Sequence, residues 1–154
     1  MSLLTAWFEF RQFAVVKLIV LLCLLPMWCS AAEEVAVEPP KHPIEVAMGA
    51  AMEKDPSTAG MLRAIGAAQK SWDALLNRHY AKLRELLGET DSEALKSAQR
   101  AWIVFRDSEW KALEVIYGKM EGTMYRPLHA YAVMDLVKTR ALALGRRVEM
   151  LEQG

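Results

Sequence analysis

The sequence predicts an all-α fold, an antiparallel helical bundle of three long helices plus a short N-terminal helix. Large apolar residues recur every three or four positions over long stretches after residue 58, which is the period of one helix face. No stretch alternates polar and apolar residues over the length of a strand. The turns between the periodic segments are short, so we expect successive helices to lie side by side in opposite directions.

The first 32 residues have the layout of a secretory signal peptide. Arg11 and Lys17 precede an apolar run over residues 18–25, and small residues stand before a cut after Ala32. The alternative is an uncleaved anchor, because residues 13–28 are apolar except for Lys17. This run is shorter than the ~20 residues that a membrane-spanning helix needs. We therefore predict a signal peptide over residues 1–32, a periplasmic or secreted protein, and no membrane attachment after cleavage.

Cleavage after residue 32 leaves 122 residues, the length of one domain. Residues 33–41 are acidic and contain proline, which indicates a flexible leader, and residues 42–154 form the predicted domain. The cleaved chain has 17 basic and 18 acidic residues, a net charge of −1 that gives no reason to expect nucleic acid binding. Both cysteines, Cys23 and Cys29, lie in the predicted signal peptide, so the domain has no disulfide or thiol chemistry.

The predicted helices are bounded by recognisable start and stop residues. Pro43 fits the first turn of a short helix that ends near Lys54, and residues 55–58 offer N-caps for the next helix. This long helix runs from about residue 59 to 87, and Gly88 ends it as a C′ residue. Thr90 and Glu93 then fit a capping box.

The third predicted helix ends at Gly118, and the last one, with Pro127 in its first turn, runs to about residue 151. The apolar periodicity of the third helix includes Phe105 and Ile116, and the apolar positions of the last helix include Leu128 and Tyr131. The same periodicity places Trp72 and Trp102 in the core. It makes Trp110, about 80° further round the helix than Trp102, the most exposed of the three tryptophans.

The sequence contains no recognisable catalytic or metal-binding motif. His42, His79 and His129 each stand alone, without the spacing of zinc ligands. Asp107 and Glu109 lie about 200° apart around a helix, so they cannot flank one bond as the carboxylates of a glycosidase do. We therefore predict that the protein is not an enzyme and uses no metal or cofactor.

Two arginines stand among apolar residues and need partners. Arg106 is four positions from Trp102, and Arg140 lies in the apolar segment VKTRALAL. A buried guanidinium is tolerated when a carboxylate accepts its hydrogen bonds, and Asp73, Asp107 and Asp135 are candidates. The alternative is that these arginines contact a partner protein.

Four segments occur in a set order: WDALLNRHY from Trp72, AQRAWIVFRD from Ala98, GT at Gly122 and TRALAL from Thr139. This pattern resembles that of the LprI-like lysozyme-inhibitor family, small exported helical proteins of bacterial envelopes. The matching residues, which we interpret as mainly structural, are Trp72, Asp73, Leu76, Asn77, Tyr80, Gln99, Trp102, Arg106, Asp107, Gly122, Thr123 and Arg140. Many relatives carry cysteines in the segment equivalent to residues 47–67, where this chain has alanines such as Ala51 and Ala64. This chain also has no convincing lipidation site, so the disulfide-linked and membrane-tethered form of the family is a poor guide to it.

The resemblance implies an exported cell-envelope protein that binds a lysozyme-type enzyme by protein–protein contact. The alternative is a structural or adaptor helical domain of the periplasm without inhibitory activity. Two places offer residues for a partner: Trp110 with Tyr117 near the end of the third helix, and the turn from Gly122 to Arg126, which includes Tyr125. The other interpretation of the turn is that Gly122 and Thr123 only end one helix and cap the next.

Overall fold

Three helices account for most of residues 40–154, the part of the chain that the computed structural model describes. They are α1 (Pro43–Lys54), α2 (Thr58–Tyr117) and α3 (Tyr125–Gln153), and no strand occurs in this range. The predicted all-α class is confirmed. The predicted signal peptide, and the predicted leader up to residue 39, lie outside the described residues. None of the three helices is long and apolar enough to cross a membrane.

The starts of α1 and α2 follow the predicted capping chemistry. Pro43 occupies the first turn of α1, and the Nδ1 atom of His42 accepts a hydrogen bond from the backbone N–H of Ile44 (3.2 Å). At the start of α2, the hydroxyl of Ser57 accepts a hydrogen bond from the backbone N–H of Gly60 (3.0 Å). These bonds satisfy donors that the first turn of a helix leaves free.

A backbone break at Gly88 divides α2 into two arms, residues 58–87 and 89–117. Gly88 has φ 74° and ψ −177°, a conformation that glycine adopts without the steric cost that a Cβ atom imposes. The predicted end of a helix at Gly88 corresponds to this break. The capping box predicted for Thr90 and Glu93 is wrong: Glu93 instead accepts a hydrogen bond from Lys96 (2.6 Å), and Ser92 donates to the carbonyl of Glu89 (2.9 Å).

The two arms run along α3 in opposite directions. On the first arm, His79 contacts Ala141 and Lys82 lies 3.8 Å from Glu152. The first arm and α3 therefore run in the same direction. On the second arm, Gln99 bonds Arg140, and the ring centroids of Tyr117 and His129 are 5.5 Å apart. The second arm and α3 therefore run in opposite directions. The second arm is therefore antiparallel to both of its long neighbours.

The core lies mainly between the first arm and α3. Its fully buried centre contains Trp72 and Met134, each 0% exposed, and the ring of His42 stacks against Trp72 with centroids 4.4 Å apart. The remaining members of this cluster are Ile65, Ala68, Leu76, Leu83, Val137, Ala141, Leu144 and Val148. The predicted core position of Trp72 is confirmed, and Trp102 packs half-buried against the same cluster.

The predicted core face of the second arm is displaced around the helix. Phe105 and Ile116 are each 52% exposed, although the apolar periodicity assigned both to the core. The face that meets α3 instead carries Gln99 and Trp102, which both contact Arg140. Since Gln99 is polar, a pattern based on apolar residues selects the neighbouring face. On α3, the apolar positions Leu128 (47% exposed) and Tyr131 (40%) also lie at the surface.

α1 packs against the first arm and is linked to α3 by an ion pair. A cavity of about 300 Å³ lies between α1 and the first arm, and Ala51 and Ala64 are among the alanines that line it. Lys138 of α3 donates a hydrogen bond to Glu45 of α1 (2.5 Å), with both side chains at least three-quarters buried. Small side chains provide little contact area, so this polar link contributes to the attachment of α1.

We expect the attachment of α1 to depend on pH at both extremes. The hydrogen bond from Lys138 lowers the pKa of Glu45, and the same bond raises the pKa of Lys138. The stabilisation is therefore complete between the two ordinary values of 4.5 and 10.5. It is lost as pH falls through the lowered pKa of Glu45 or rises through the raised pKa of Lys138. The protection factors of the α1 amides, which are exchange rates corrected for the intrinsic effect of pH, should fall in acid, and Glu45→Gln should remove much of that acid dependence. An unchanged acid profile in this variant would contradict the assignment.

Candidate functional site

A groove of about 680 Å³ separates the two arms of α2. The first arm contributes a row of polar residues that includes Lys70, Asp73 and Asn77, and the second arm contributes Arg106 and Trp110. Asp73 accepts a hydrogen bond from the side-chain amide of Asn77 (3.2 Å), one helical turn further along. Both segments WDALLNRHY and AQRAWIVFRD therefore place polar side chains on one surface.

Arg106 is held in place by an ion pair and two aromatic rings. Its Nε and Nη2 atoms donate to the same oxygen of Asp107, at 2.9 and 2.7 Å. Its guanidinium carbon lies 4.8 Å from the ring centroid of Trp110 and 5.4 Å from that of Trp102, within the range of cation–π attraction. The predicted pairing of Arg106 with a carboxylate is confirmed. The pair is half-buried, because the Arg106 side chain is 21% exposed and that of Asp107 is 49% exposed.

Arg140 forms a second polar contact, between α3 and the second arm. Its Nε and Nη2 atoms both donate to the side-chain oxygen of Gln99, at 3.1 and 2.9 Å, and its guanidinium lies 5.6 Å from the ring centroid of Trp102. The prediction that Arg140 holds a carboxylate is wrong, since the acceptor is a neutral amide. Burial lowers the pKa of Arg140, and the charge of Arg147 acts in the same direction.

The residues of the sequence pattern fall into an interior set and a surface set. Trp72, Leu76 and Gln99 are buried, and Tyr80, Trp102 and Arg140 are partly buried. Asp73, Asn77, Gly122 and Thr123 are exposed, and Asp107 has a half-exposed side chain. An exposed polar residue contributes little to a packed core, so the surface set is the better candidate for contact with a partner.

The connection between α2 and α3 forms one end of the bundle. We call residues 117–129 the tip. A hollow of about 290 Å³ here is lined by Tyr117, Gly122, Tyr125, Arg126 and other residues of the tip and the last turn of α2. Gly122 has φ 102°, which favours glycine.

The predicted capping role of Gly122 and Thr123 is wrong. α2 ends with Gly118 as its C-cap, and the N-cap residue of α3 is Met124, which makes no side-chain capping bond. Thr123 only accepts a backbone bond from Arg126 (3.3 Å). The side chain of Thr123 is therefore free of the structural role that the alternative interpretation gave it.

The candidate partner residues occupy two different places. Tyr125 (36% exposed) and the exposed Arg126 lie on the tip, and Tyr117 is half-buried beside them. Trp110 instead lines the groove and is partly buried, packed against the core as Trp102 is. The indole Nε1 of Trp110 is buried without a hydrogen-bond partner among the described residues.

Other surface residues were not singled out from the sequence. Gln69 and Lys70 line the groove, and Met120 (44% exposed) and Met124 (66%) enlarge the apolar surface of the tip. The sequence does contain a signal for Gln69, because Gln69, Asp73 and Asn77 recur at intervals of four on one helix face. The methionines gave no such signal. Among residues 40–154 no three His, Cys, Asp or Glu side chains are grouped as metal ligands.

Comparison with solved structures supports the architecture. A crystal structure of an uncharacterized protein from Burkholderia thailandensis matches with a TM-score of 0.68 and 28% sequence identity. The match covers 75% of this chain and 58% of that one, so this chain spans less than two thirds of that protein's length. No curated protein matches the sequence.

A family model described as lysozyme inhibitor LprI matches residues 49–144. The match covers more than half of the chain and includes α2, the tip and most of α3. It also contains every residue of the sequence pattern, from Trp72 to Arg140. The description is that of an inhibitor and not of a catalyst. The chain belongs to the lysozyme inhibitor LprI family.

Proposed function

We propose that the protein is exported to the periplasm or secreted, and that it inhibits a lysozyme-type enzyme by placing the tip in the cleft of that enzyme. Family membership supports the inhibitory role, and the exposed Tyr125 and Arg126 support the choice of surface. The protein has no catalytic role in this proposal. It acts by occupying a site that the substrate of its partner needs.

The chemistry of the expected target fits the tip. Most glycoside hydrolases, lysozyme included, act through two carboxyl groups that flank the bond to be cleaved. A guanidinium pairs with a carboxylate through two parallel hydrogen bonds, so Arg126 is suited to contact such a cleft. Tyr125, Met120 and Met124 add apolar surface around it. An aromatic residue beside an arginine is the combination that dominates many protein interfaces.

The charge of the cleaved chain requires that the contact be short-range. A net charge of −1 gives little long-range attraction to a cationic enzyme. Affinity must then come from complementary surfaces within the interface. Since Gly122 adopts a positive φ and carries no side chain, the backbone of the tip can approach the partner closely.

Arg126→Ala should raise the inhibition constant of the purified exported protein at least tenfold, in an assay of cell-wall lysis by lysozyme. The reason is the loss of the guanidinium that we place against the catalytic carboxylates, and a desolvated charged contact of this kind is worth about 2 kcal/mol or more. Tyr125→Ala should weaken inhibition by at least about 1 kcal/mol. Both variants should keep the melting temperature of the parent protein, because both side chains are outside the core.

Arg78→Ala provides a matched control, since Arg78 is an exposed cation on the first arm and does not line the tip. It should inhibit as the parent does. Full inhibition by both tip variants would refute the tip as the contact surface.

A second candidate function is a structural or adaptor domain of the envelope. One observation favours it: the second arm exposes Val104 (67%), Phe105 (52%) and Val115 (62%). Exposed apolar groups along one helix are typical of a docking face for another protein. The lysis assay separates the two functions, because an adaptor would inhibit no lysozyme at any concentration.

A further inference from the structure

We propose that Met120 and Met124 are an oxidation site, and that a peroxide switches off binding through the tip by converting their thioethers to sulfoxides. This regulation rests on the proposed function, because it acts on the same surface. Three features support it: the exposure of the two side chains, their position beside the hollow of the tip, and the chemistry of a thioether.

Methionine carries all the reactive sulfur of the exported chain. Cys23 and Cys29 both lie before the proposed cleavage point, so no thiol of this protein competes for an oxidant. A thioether reacts without losing a proton, so its susceptibility depends on whether a peroxide can reach the sulfur atom. The exposure of each methionine therefore decides which of them reacts first.

The tip carries two of the three exposed methionines among residues 40–154. Met124 is 66% exposed and Met120 is 44% exposed, while the third, Met150 (72%), lies near the end of α3. Met134 is 0% exposed in the core. The other methionines of the described residues, which are half-buried, are Met48, Met52 and Met61. A peroxide therefore reaches the sulfur atoms of the tip before that of the core.

The backbone holds both tip methionines beside the residues that we propose to contact the partner. Met120 lines the hollow together with Tyr125 and Arg126, and its backbone N–H donates to the carbonyl of Tyr117 (3.1 Å). Met124 is the N-cap residue of α3 and directly precedes Tyr125. Since both residues are fixed at this end of the bundle, a chemical change in their side chains changes the surface of the tip.

Oxidation converts each of these apolar side chains into a polar one. A lone pair of the sulfur attacks one oxygen of the peroxide, and the O–O bond breaks as the S–O bond forms. Sulfur loses two electrons and the peroxide gains them. The departing hydroxide takes the proton of the transferred oxygen, which leaves a sulfoxide and one molecule of water.

The sulfoxide oxygens would weaken an interface that covers the tip. A polar oxygen that is removed from water needs a hydrogen-bond donor, and an apolar contact made by Met120 or Met124 provides none. The fold should tolerate the same change, because neither residue belongs to the core cluster. We therefore expect oxidation to reduce binding without unfolding the protein.

Limited oxidation of the exported protein by hydrogen peroxide, stopped with catalase before lysozyme is added, tests the proposal. Tandem mass spectrometry should show that sulfoxide forms at Met120 and Met124 at least about tenfold faster than at the buried Met134. The treated protein should have an inhibition constant at least about tenfold higher than the untreated protein, at an unchanged melting temperature. Methionine sulfoxide reductases should restore inhibition, which irreversible damage would not allow.

Two variants locate the effect, each compared with its own untreated sample. The double variant Met120→Leu, Met124→Leu keeps apolar side chains at the tip and has no sulfur there, so peroxide treatment should leave its inhibition constant unchanged. Met150→Leu is the matched control, because it removes an equally exposed sulfur near the other end of α3. This control should lose inhibition on treatment as the parent does.

The proposal would be overturned if sulfoxide at Met120 and Met124 left the inhibition constant unchanged, or if the treated double variant lost inhibition as the parent does. It would also be overturned if both residues were oxidised no faster than Met134. An untreated protein that inhibits no lysozyme would contradict the proposed function itself, and the switch with it. That result is distinct from a failure of the switch alone, in which the untreated protein inhibits and oxidation has no effect.

Discussion

Replacing Trp72 by alanine should lower the free energy of unfolding by about 3–5 kcal/mol, the range found when a large aromatic side chain is removed from a core. Trp72 is 0% exposed, packs among the residues that join the first arm to α3, and is stacked by His42. The cavity left by the indole ring lies where these contacts meet, so the surroundings cannot close it without moving a helix. Chemical denaturation of the exported protein measures the effect.

Trp72→Phe is the matched control. The indole Nε1 of Trp72 has no hydrogen-bond partner within residues 40–154. The change to phenylalanine therefore reduces the volume of the side chain without breaking a hydrogen bond. It should cost less than half as much as the change to alanine. A loss below 1 kcal/mol for Trp72→Ala would contradict the central position that we assign to this residue.

Arg140→Ala should destabilise the protein by about 2–3 kcal/mol, from a lost cation–π contact and a buried acceptor left without its donors. Both hydrogen bonds of the Arg140 guanidinium end on the oxygen of Gln99, which is 8% exposed. Without the guanidinium, that buried oxygen has lost its hydrogen bonds to water and has no donor in the protein to replace them.

A double variant tests whether this cost comes from the orphaned amide. Arg140→Met with Gln99→Leu removes both polar partners and keeps most of the volume, so its stability should return to within about 1 kcal/mol of the parent. Burial already lowers the pKa of Arg140, which means that the charged form gains no compensation from a neighbouring carboxylate. If the double variant loses as much free energy of unfolding as its two single variants together, Arg140 and Gln99 contribute to stability independently of each other.

The helix boundaries were predictable because they depend on neighbouring residues. Pro43, Ser57 and Gly88 act within one turn of their own positions, and each marks a start or a break in the structure. The all-α class followed for the same reason, since the periodicity of Trp72 and its neighbours is a local pattern. Local sequence patterns predict where the helices begin and end, but they do not predict which helix faces pack together.

The core face of the second arm was misjudged because its contact with α3 is partly polar. Gln99 lies on that face and bonds Arg140, while Phe105 is exposed. The acceptor for Arg140 is 41 positions away in the sequence, and nothing near Arg140 identifies an amide as its partner. An arginine in an apolar segment predicts that a partner exists, and only the tertiary structure can name it.

The groove was missed for a related reason. Asp73 and Asn77 belong to one segment, and Arg106 to another, so their common surface arises only when the arms fold onto α3. The tip was easier to anticipate, because a turn that contains glycine, an aromatic residue and an arginine is continuous in sequence. The turn's supposed capping role was excluded only by the position of Met124 as the N-cap.

The break at Gly88 gives a single residue control over the topology of the protein. If residue 88 took ordinary helical angles, the 60 residues of α2 would form one continuous rod about 90 Å long. The second arm and α3 would then lie far from the first arm of their own chain. The buried faces would find equivalent surfaces only on another copy, by exchange of identical elements between two molecules. The positive φ of Gly88 therefore allows the contacts between the arms and α3 to form within one chain, where a straight α2 would leave the same contacts to be made between two copies.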